Sequence, residues 1–548
     1  MKNTDHSMKK SSILYVVMLI IWTILVAFLW YNFIKCFKNI PFNIPIENIP
    51  KWKKITATIF LGFNAVFISY FWLNGVKDFI YVIWYYFNKN KLVRRYQQII
   101  NTDVSKANDR ILLTYCTCND FDETSLEKSI QQEYHNFKTV ILDDSTNDEY
   151  KKRIDEFSKK HNIEVIRREN RIGFKAGNIN NYLMREEVKT SYDYVVILDS
   201  DEILPKNFIT ECLKYFYSQD NIGIVQANHI STRNRNFFMK LFHIGVNSHW
   251  PTYQTMKHFY GFSTMLGHGA MIKRECYESA GGFPNLVAED LCLSIESRQH
   301  GYYVAFAPNI ICEEEYPIDY VAFKKRHSKW TQGNLEFIKK YTGKIAKSKM
   351  KWFEKLDIVL FTYNLPLTAI FAFFIFANLI IAPLLNIELG KIYSLWMFIP
   401  TVIFFFSPML NDFITWSFRL NPLRNIVYFI CVVILYGSML TTSLISALLG
   451  MCGKKAKFIV TPKTSKKTSL FFALRFQLNE IIFSSILLVC AIIFSKSILP
   501  VILIITTGYF SIFLLFFSNK KYDDKKTNQI DSKTSAISLK INKTISPK

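Results

Sequence analysis

The chain contains no CxxC pair and no Cys/His cluster at zinc spacing; its 10 cysteines are scattered, several inside apolar runs. That excludes a disulfide framework and a structural zinc site. Cys116-Thr117-Cys118 is read as small-residue filling near a strand end. No internal repeat is visible, and no cyclic-di-GMP-binding pattern follows the last apolar segment. Acidic residues are in short supply: 44 Asp and Glu stand against 67 Lys and Arg, a formal net charge of +23. The basic excess falls in the flanks of apolar segments and beyond Lys520, which points to anchoring on anionic lipid and away from nucleic acid. What is plentiful is apolar surface, with 50% hydrophobic residues, 48 Phe and 29 Tyr beside 20% charged residues. Part of such a chain spans lipid and part faces water.

A spanning helix takes about 20 apolar residues. The candidates are Ile13 to Ile34, Ile55 to Leu73, Ile358 to Pro383, Tyr393 to Met409, Ile426 to Leu449, Ile481 to Phe494 and Ile498 to Phe517. The first is too long for a signal peptide and has no small-residue cleavage site before Lys35. Basic runs at Lys89 to Arg95, Lys324 to Lys355, Lys454 to Lys467 and from Lys520 mark the cytoplasmic side. Three crossings between the second and third runs would put Lys454 to Lys467 outside. The segment at about 424–449, which follows Arg419 and Arg424 and runs into that basic loop, is therefore expected along the inner interface. The expected organisation is two transmembrane helices in 1–95, a cytosolic block in 96–350, and four further transmembrane helices in 351–518. A disordered cytoplasmic tail at 519–548 completes it.

Within the block, Arg110 to Tyr115, Thr139 to Leu142, Ile163 to Ile166 and Tyr194 to Leu198 are short apolar runs ending in polar or acidic residues. Buried parallel strands read this way, with helices at Leu126 to Tyr134 and Tyr150 to His161 between them. Ligands of open α/β sheets bind at the carboxyl ends of the strands, where Asp143-Asp144 and Asp199-Ser200-Asp201 fall. Alternate carboxylates at a strand end offer hard oxygen ligands to a divalent cation that keeps places free for phosphate. Between them, Arg168, Arg171, Gly173, Lys175, Ala176, Gly177, Asn178 and Asn180 supply charge and close backbone approach for a diphosphate. Taken singly, each of these is also ordinary turn, loop or strand-end chemistry.

In order, Asp143-Asp144-Ser145, Arg171-x-Gly-x-Lys-Ala-Gly-Asn178-x-Asn180, Asp199-Ser-Asp201, Gly281-Gly-Phe-Pro with Glu289-Asp290, and Trp330 in Arg326-His-Ser-Lys-Trp-Thr-Gln-Gly333 resemble the inverting family 2 glycosyltransferases. The matching subset is the membrane-integrated processive synthases, such as bacterial cellulose synthase and hyaluronan synthase. Phe458-Ile-Val-Thr461-Pro-Lys463 is similar to the gating loop of cellulose synthase, here at about 454–468. The resemblance implies an α/β nucleotide-sugar-binding domain of GT-A type, cytosolic and inserted in a polytopic α-helical membrane domain.

By that resemblance, Thr114, Asp143, Asp144, Arg171, Lys175, Asn178, Arg326, Lys329, Thr461 and Lys463 contact the UDP-sugar, and Asp199 both contacts it and, with Asp201, binds Mg2+ or Mn2+. Asp290 is the general base with Glu289 beside it, while Trp330 and His268 meet the acceptor. The family motif at Trp330 is Q-x-x-R-W; Arg326 and Lys329 depart from it, exchanging a planar fork for a point charge at the second position. Trp330 to Leu335 and Gly267 to Ile272 look like stretches of the osmoregulated periplasmic glucan glucosyltransferases. The implied activity is polymerisation of a β-glucan from UDP-glucose at the plasma membrane, with the growing polysaccharide and membrane lipid as partners. The alternatives are transfer to a lipid carrier, or another sugar such as that of UDP-GlcNAc.

Overall fold

A computed structural model of the chain describes residues 7–231, 236–454 and 468–520. Phe458, Thr461 and Lys463 of the expected gating loop, and the tail beyond Lys520, lie outside the described residues. The central block is built on seven strands: β1 (Ile111–Thr117), β2 (Phe137–Asp143), β3 (Glu164–Arg167), β4 (Tyr194–Leu198), β5 (Ile222–Ser231), β6 (Ala270–Lys273) and β7 (Tyr303–Glu314). They form one mixed sheet in the order β3-β2-β1-β4-β6-β5-β7. The first four strands pair in parallel and match the expected runs to within two residues at each end. Every residue of β1, β4 and β5 is buried, as in strands covered on both faces. β6 runs antiparallel between β4 and β5, and β7 pairs in parallel with β5. This mixed α/β sheet is of GT-A type. The helix expected over Leu126 to Tyr134 instead occupies Glu123–Ser129, because Asp122 caps it by accepting from Ser125 N–H.

Among the described residues, seven helices are long and apolar enough to cross a membrane, judged by length and composition. The first two are α1 (Ile13–Lys38) and α2 (Lys51–Ile100). α2 does not stop near Leu73, where the apolar run ends. It continues for 50 residues, roughly 75 Å at 1.5 Å per residue, and carries buried Lys77, Tyr81, Leu92 and Tyr96. Four helices of the block bear on the site: α3 (Phe174–Leu183), α4 (Phe237–Phe259), α5 (Glu289–Gln299) and α6 (Tyr320–Lys347).

The segment expected at the interface is one 30-residue helix, α7 (Pro422–Met451). Block residues contact it along its whole length. Arg424 donates to the Lys240 carbonyl at 3.4 Å, Tyr320 and Ser438 share a bond of 2.7 Å, and His327 and Ser443 one of 2.6 Å. Ser328 and Ser446 lie 2.8 Å apart, and Lys339 donates to the Gly450 carbonyl at 2.8 Å. A second junction gathers on Asp357, which accepts from Tyr15 of α1 at 2.5 Å, Tyr81 of α2 at 3.0 Å, Lys257 at 2.9 Å and the Phe262 N–H at 2.6 Å. The chain leaving that junction at Phe262 runs directly to Gly267, one wall of the site.

Candidate active site

The carboxyl ends of β1, β2 and β4 open on the same edge of the sheet, and the acidic pairs stand there. Asp143, its side chain fully buried, accepts from Ser145 N–H at 2.8 Å and from Arg167 Nε at 2.6 Å. Asp144 takes a two-pronged guanidinium from Arg168, at 2.8 and 2.7 Å, with both side chains 6% exposed. Arg168 also donates to the carbonyls of Ile172 and Phe174, at 2.7 Å each. The guanidinium expected to face a diphosphate is therefore spent on shaping the loop that leads into α3.

That loop turns at Gly173, whose φ is +74°, and closes so tightly that a Cβ on Gly177 would lie 2.0 Å from the Ile172 carbonyl oxygen. Only glycine allows this approach. On the far side of α3, Asn180 holds the Gly281-Gly282 turn: it accepts from Phe283 N–H at 2.9 Å and from Tyr277 at 2.5 Å, and donates to the Phe283 carbonyl at 2.8 Å. The glycine turn in turn sets the start of α5 and with it Glu289 and Asp290. Asn180→Ala leaves buried Phe283 and Tyr277 groups without partners and is expected to cost about 1–3 kcal/mol, read as a lowered midpoint in thermal unfolding.

Lys175, the second residue of α3, reaches across to β4. Its ammonium donates to Asp199 Oδ1 at 2.5 Å and to the Gly267 carbonyl at 2.7 Å. Burial works against that charge, but Asp199 outweighs it and holds the lysine above its ordinary range. Burial likewise opposes the Asp199 carboxylate, and Lys175 with His268 keeps it below the usual range. Asp290 also stands close to Gly267: a Cβ there would lie 3.6 Å from Asp290 Oδ2. Burial raises both Asp290 and Glu289 above ordinary carboxylates, and their mutual repulsion adds to the rise at Glu289. Asp199 keeps a second oxygen beyond the one that meets Lys175, and Asp201 is likewise only half-buried. Two hard carboxylates at an open strand end fit Mg2+ or Mn2+, cations held by one or two carboxylates plus phosphate oxygens.

Residues 194–445 match the glycosyl transferase family group 2. The chain carries a family 2 glycosyltransferase domain. The matched span includes Asp199, Asp201, Glu289, Asp290 and Trp330; Asp143, Asp144 and Lys175 precede it. A probable glucomannan 4-beta-mannosyltransferase 11 of Arabidopsis thaliana is 25% identical over 221 residues, which are 39% of this chain and 49% of that protein. The chain thus spans about half the length of this curated relative. Among solved structures, the mannosyltransferase PcManGT from Pyrobaculum calidifontis, in complex with GDP-Man and Mn2+, is 16% identical with a TM-score of 0.43, covering 71% of this chain and 99% of that one. S. aureus TarS is 11% identical with a TM-score of 0.32, covering 56% of this chain and 54% of that one.

Within the glycosyltransferase domain, α6 carries Lys329 and Trp330 three and four residues after Arg326, each within reach of it. The Arg326 guanidinium stacks 4.7 Å from the Trp330 ring, and Trp330 itself is 46% exposed. Burial lowers the Lys329 ammonium against the pull of Glu289 and Asp199, which places it among the site carboxylates. Arg171 lies against Cys118 at 2.5 Å, and Asn178 is buried in α3 with its Oδ1 unsatisfied. Thr114 is a correction. It sits in the middle of β1, fully buried, and gives its hydroxyl to the Val196 carbonyl at 2.8 Å, so a nucleotide cannot reach it. His268, expected to meet the acceptor, is held between Glu202 at 3.2 Å and Glu314 at 3.5 Å. Burial disfavours its charge, yet Glu202 and Asp199 hold the imidazolium up to about 10. Sequence reading missed Glu202, His229 and Glu314 because they come from three separate elements; the acidic residue directly after Asp201 was the one available signal.

Proposed function

We propose that the chain is an inverting, divalent-metal-dependent glycosyltransferase that builds a β-glucan from UDP-glucose at the cytoplasmic face of the plasma membrane and passes it through its own helices. The observation that carries this reading is that Lys175 bonds both Asp199 and the Gly267 carbonyl while Asp290 stands beside the same Gly267. Asp143 and Asp144 form the nucleoside end, with their arginines fixing the platform. Lys175 binds the diphosphate oxygens, and a metal ion held by Asp199 and Asp201, when bound, stabilises the leaving nucleoside diphosphate. Asp290 takes the proton from the acceptor hydroxyl as its oxygen bonds to the anomeric carbon. The bond from that carbon to the phosphate oxygen breaks with its electron pair, and one such displacement inverts the centre. Trp330 offers an aromatic face to the acceptor pyranose.

Six of the apolar helices then cross the membrane and α7 lies along the inner surface, where its contacts with α4 and α6 favour it. A second reading, transfer of mannose into a mannan-type polymer, is supported by the name of the Arabidopsis relative. Purified chain in lipid with Mn2+, given UDP-glucose, UDP-GlcNAc and GDP-mannose in parallel, decides the donor by release of the nucleoside diphosphate. Product length decides between polymerisation and transfer to a lipid carrier: one-sugar lipid products defeat the polymer reading. Release from none of the donors defeats both.

Two further results are expected. Since the base acts only when ionised, and burial raises the Glu289 and Asp290 carboxyls, kcat/KM rises with pH through an acid limb displaced upward from the ordinary carboxylate range near 4. A limb at or below pH 4 in the rate profile contradicts the assignment. Trp330→Ala removes a stacking contact of about 0.5–1.5 kcal/mol, so product chains shorten while release of the nucleoside diphosphate per site changes less than tenfold. Unchanged product length removes Trp330 from the acceptor path.

A further inference from the structure

Directly beneath the Asp199 to Asp201 turn lies a polar cluster that no step above uses. Glu202 is fully buried. One of its carboxylate oxygens is 3.0 Å from His229 Nε2 on β5, the other 3.2 Å from His268 Nδ1, and the two imidazole rings are 4.5 Å apart. His268 Nε2 continues to Glu314 of β7 at 3.5 Å. A buried carboxylate between two imidazoles is weak ground for stability alone, since apolar residues of similar volume do as well or better. The cluster calls for a reason other than architecture.

Its backbone supplies one. Gln226 donates to the His268 carbonyl at 2.9 Å and accepts from Leu266 N–H at 2.7 Å, while Gly269 N–H donates to the Ile197 carbonyl of β4 at 2.9 Å. Gly269 has a φ of +57°, and a Cβ there would stand 2.2 Å from Glu202 Oε1 and 2.4 Å from His229 Nε2. Glycine alone lets the carboxylate and imidazole close over the turn. The contacts form a closed ring. Asp199 is three residues from Glu202; Glu202 holds His268; His268 is bonded to Gly267; the Gly267 carbonyl accepts from Lys175; and Lys175 returns to Asp199.

We propose that Glu202 is a positioning residue for the donor site: with His229 and His268 it fixes the Gly267 to Gly269 turn and, through the Gly267 carbonyl, sets Lys175 and the Asp199 carboxylate to receive a metal-bound diphosphate. The inference rests on Asp199 and Asp201 as the metal ligands. Partners that orient a ligand are worth about 10–100-fold in metal affinity or activity.

The test is Mn2+ binding by the full chain in lipid, titrated by electron paramagnetic resonance with UDP or GDP present, so that no turnover is needed. Glu202→Gln is expected to weaken Mn2+ binding about tenfold, and Glu314→Gln, at the far end of the chain of contacts, to weaken it measurably but less. A role confined to stability lowers the unfolding midpoint but leaves the affinity of the folded protein alone, so a folded Glu202→Gln protein with wild-type affinity overturns the proposal. If Glu202→Gln does not fold, wild-type affinity in Glu314→Gln overturns it. Failure of the wild-type chain to bind Mn2+ with either nucleotide overturns the ligand assignment and the clamp together. Glu202, His229 and Cys312 place donor atoms within 4.8 Å of one another. A stoichiometric zinc in the purified protein, lost in His229→Gln, makes the cluster a metal site itself and overturns the clamp.

Discussion

Asp290→Asn is expected to abolish sugar transfer while leaving nucleotide and metal bound. The substitution keeps the shape and the hydrogen bond that Asp290 Oδ1 accepts from Leu291 N–H at 2.7 Å, so α5 starts where it did. What disappears is the only property the step needs, an ionised oxygen able to take a proton at the Gly267 wall. A positioned general base contributes about 10²–10⁴-fold, and with no ionisable replacement at 290 turnover should fall by that factor. Release of UDP or GDP measures it, and binding of the same nucleotide by calorimetry is the control. Glu289, one residue away and also raised by burial, is the natural substitute; if Asp290→Asn stays active and Glu289→Gln does not, the base is Glu289.

The second large effect belongs to Lys175→Ala. The variant removes two hydrogen bonds at once, to Asp199 at 2.5 Å and to the Gly267 carbonyl at 2.7 Å. Asp199 then loses the cation that holds its carboxyl below the usual range. Bonds to charged groups contribute about 1.5–3 kcal/mol each, so losing the contact to the diphosphate lowers kcat/KM by about 10–100-fold, mostly through a raised KM for the donor. Lys175→Arg should not restore activity: a guanidinium fork is planar and wider than the point charge that fits between Asp199 and Gly267. Full recovery in the arginine variant excludes the two-acceptor geometry as the reason for a lysine here.

Much of the site was legible in the chain because strand ends advertise themselves. Asp143, Asp144, Asp199 and Asp201 follow unbroken apolar runs, and β1 to β4 lie where those runs are. The glycines of the α3 loop were legible for the same local reason. What was not legible depends on contacts between distant segments. Nothing near Asp144 announces that Arg168 closes on it, and nothing near Thr114 announces that its hydroxyl is taken by Val196 of a neighbouring strand. β6 is four residues long and antiparallel, too short a run to assign. α2 exceeded its expected length because helix propensity and packing on the block carry it past Lys77 and Asp78, where a hydropathy reading stops.

The contacts along α7 have a practical consequence for anyone preparing this protein. Ser438, Ser443 and Ser446 meet Tyr320, His327 and Ser328 of α6 through bonds of 2.6 to 2.8 Å, and α6 is the helix that carries Lys329 and Trp330. Neutral polar contacts of this kind exchange readily with water once it is admitted. On the interfacial placement proposed for α7, a detergent that strips lipid from its exposed face is expected to loosen this seam and to tilt α6 away from Asp290. Activity should therefore fade with delipidation well before the sheet unfolds, and return on reconstitution.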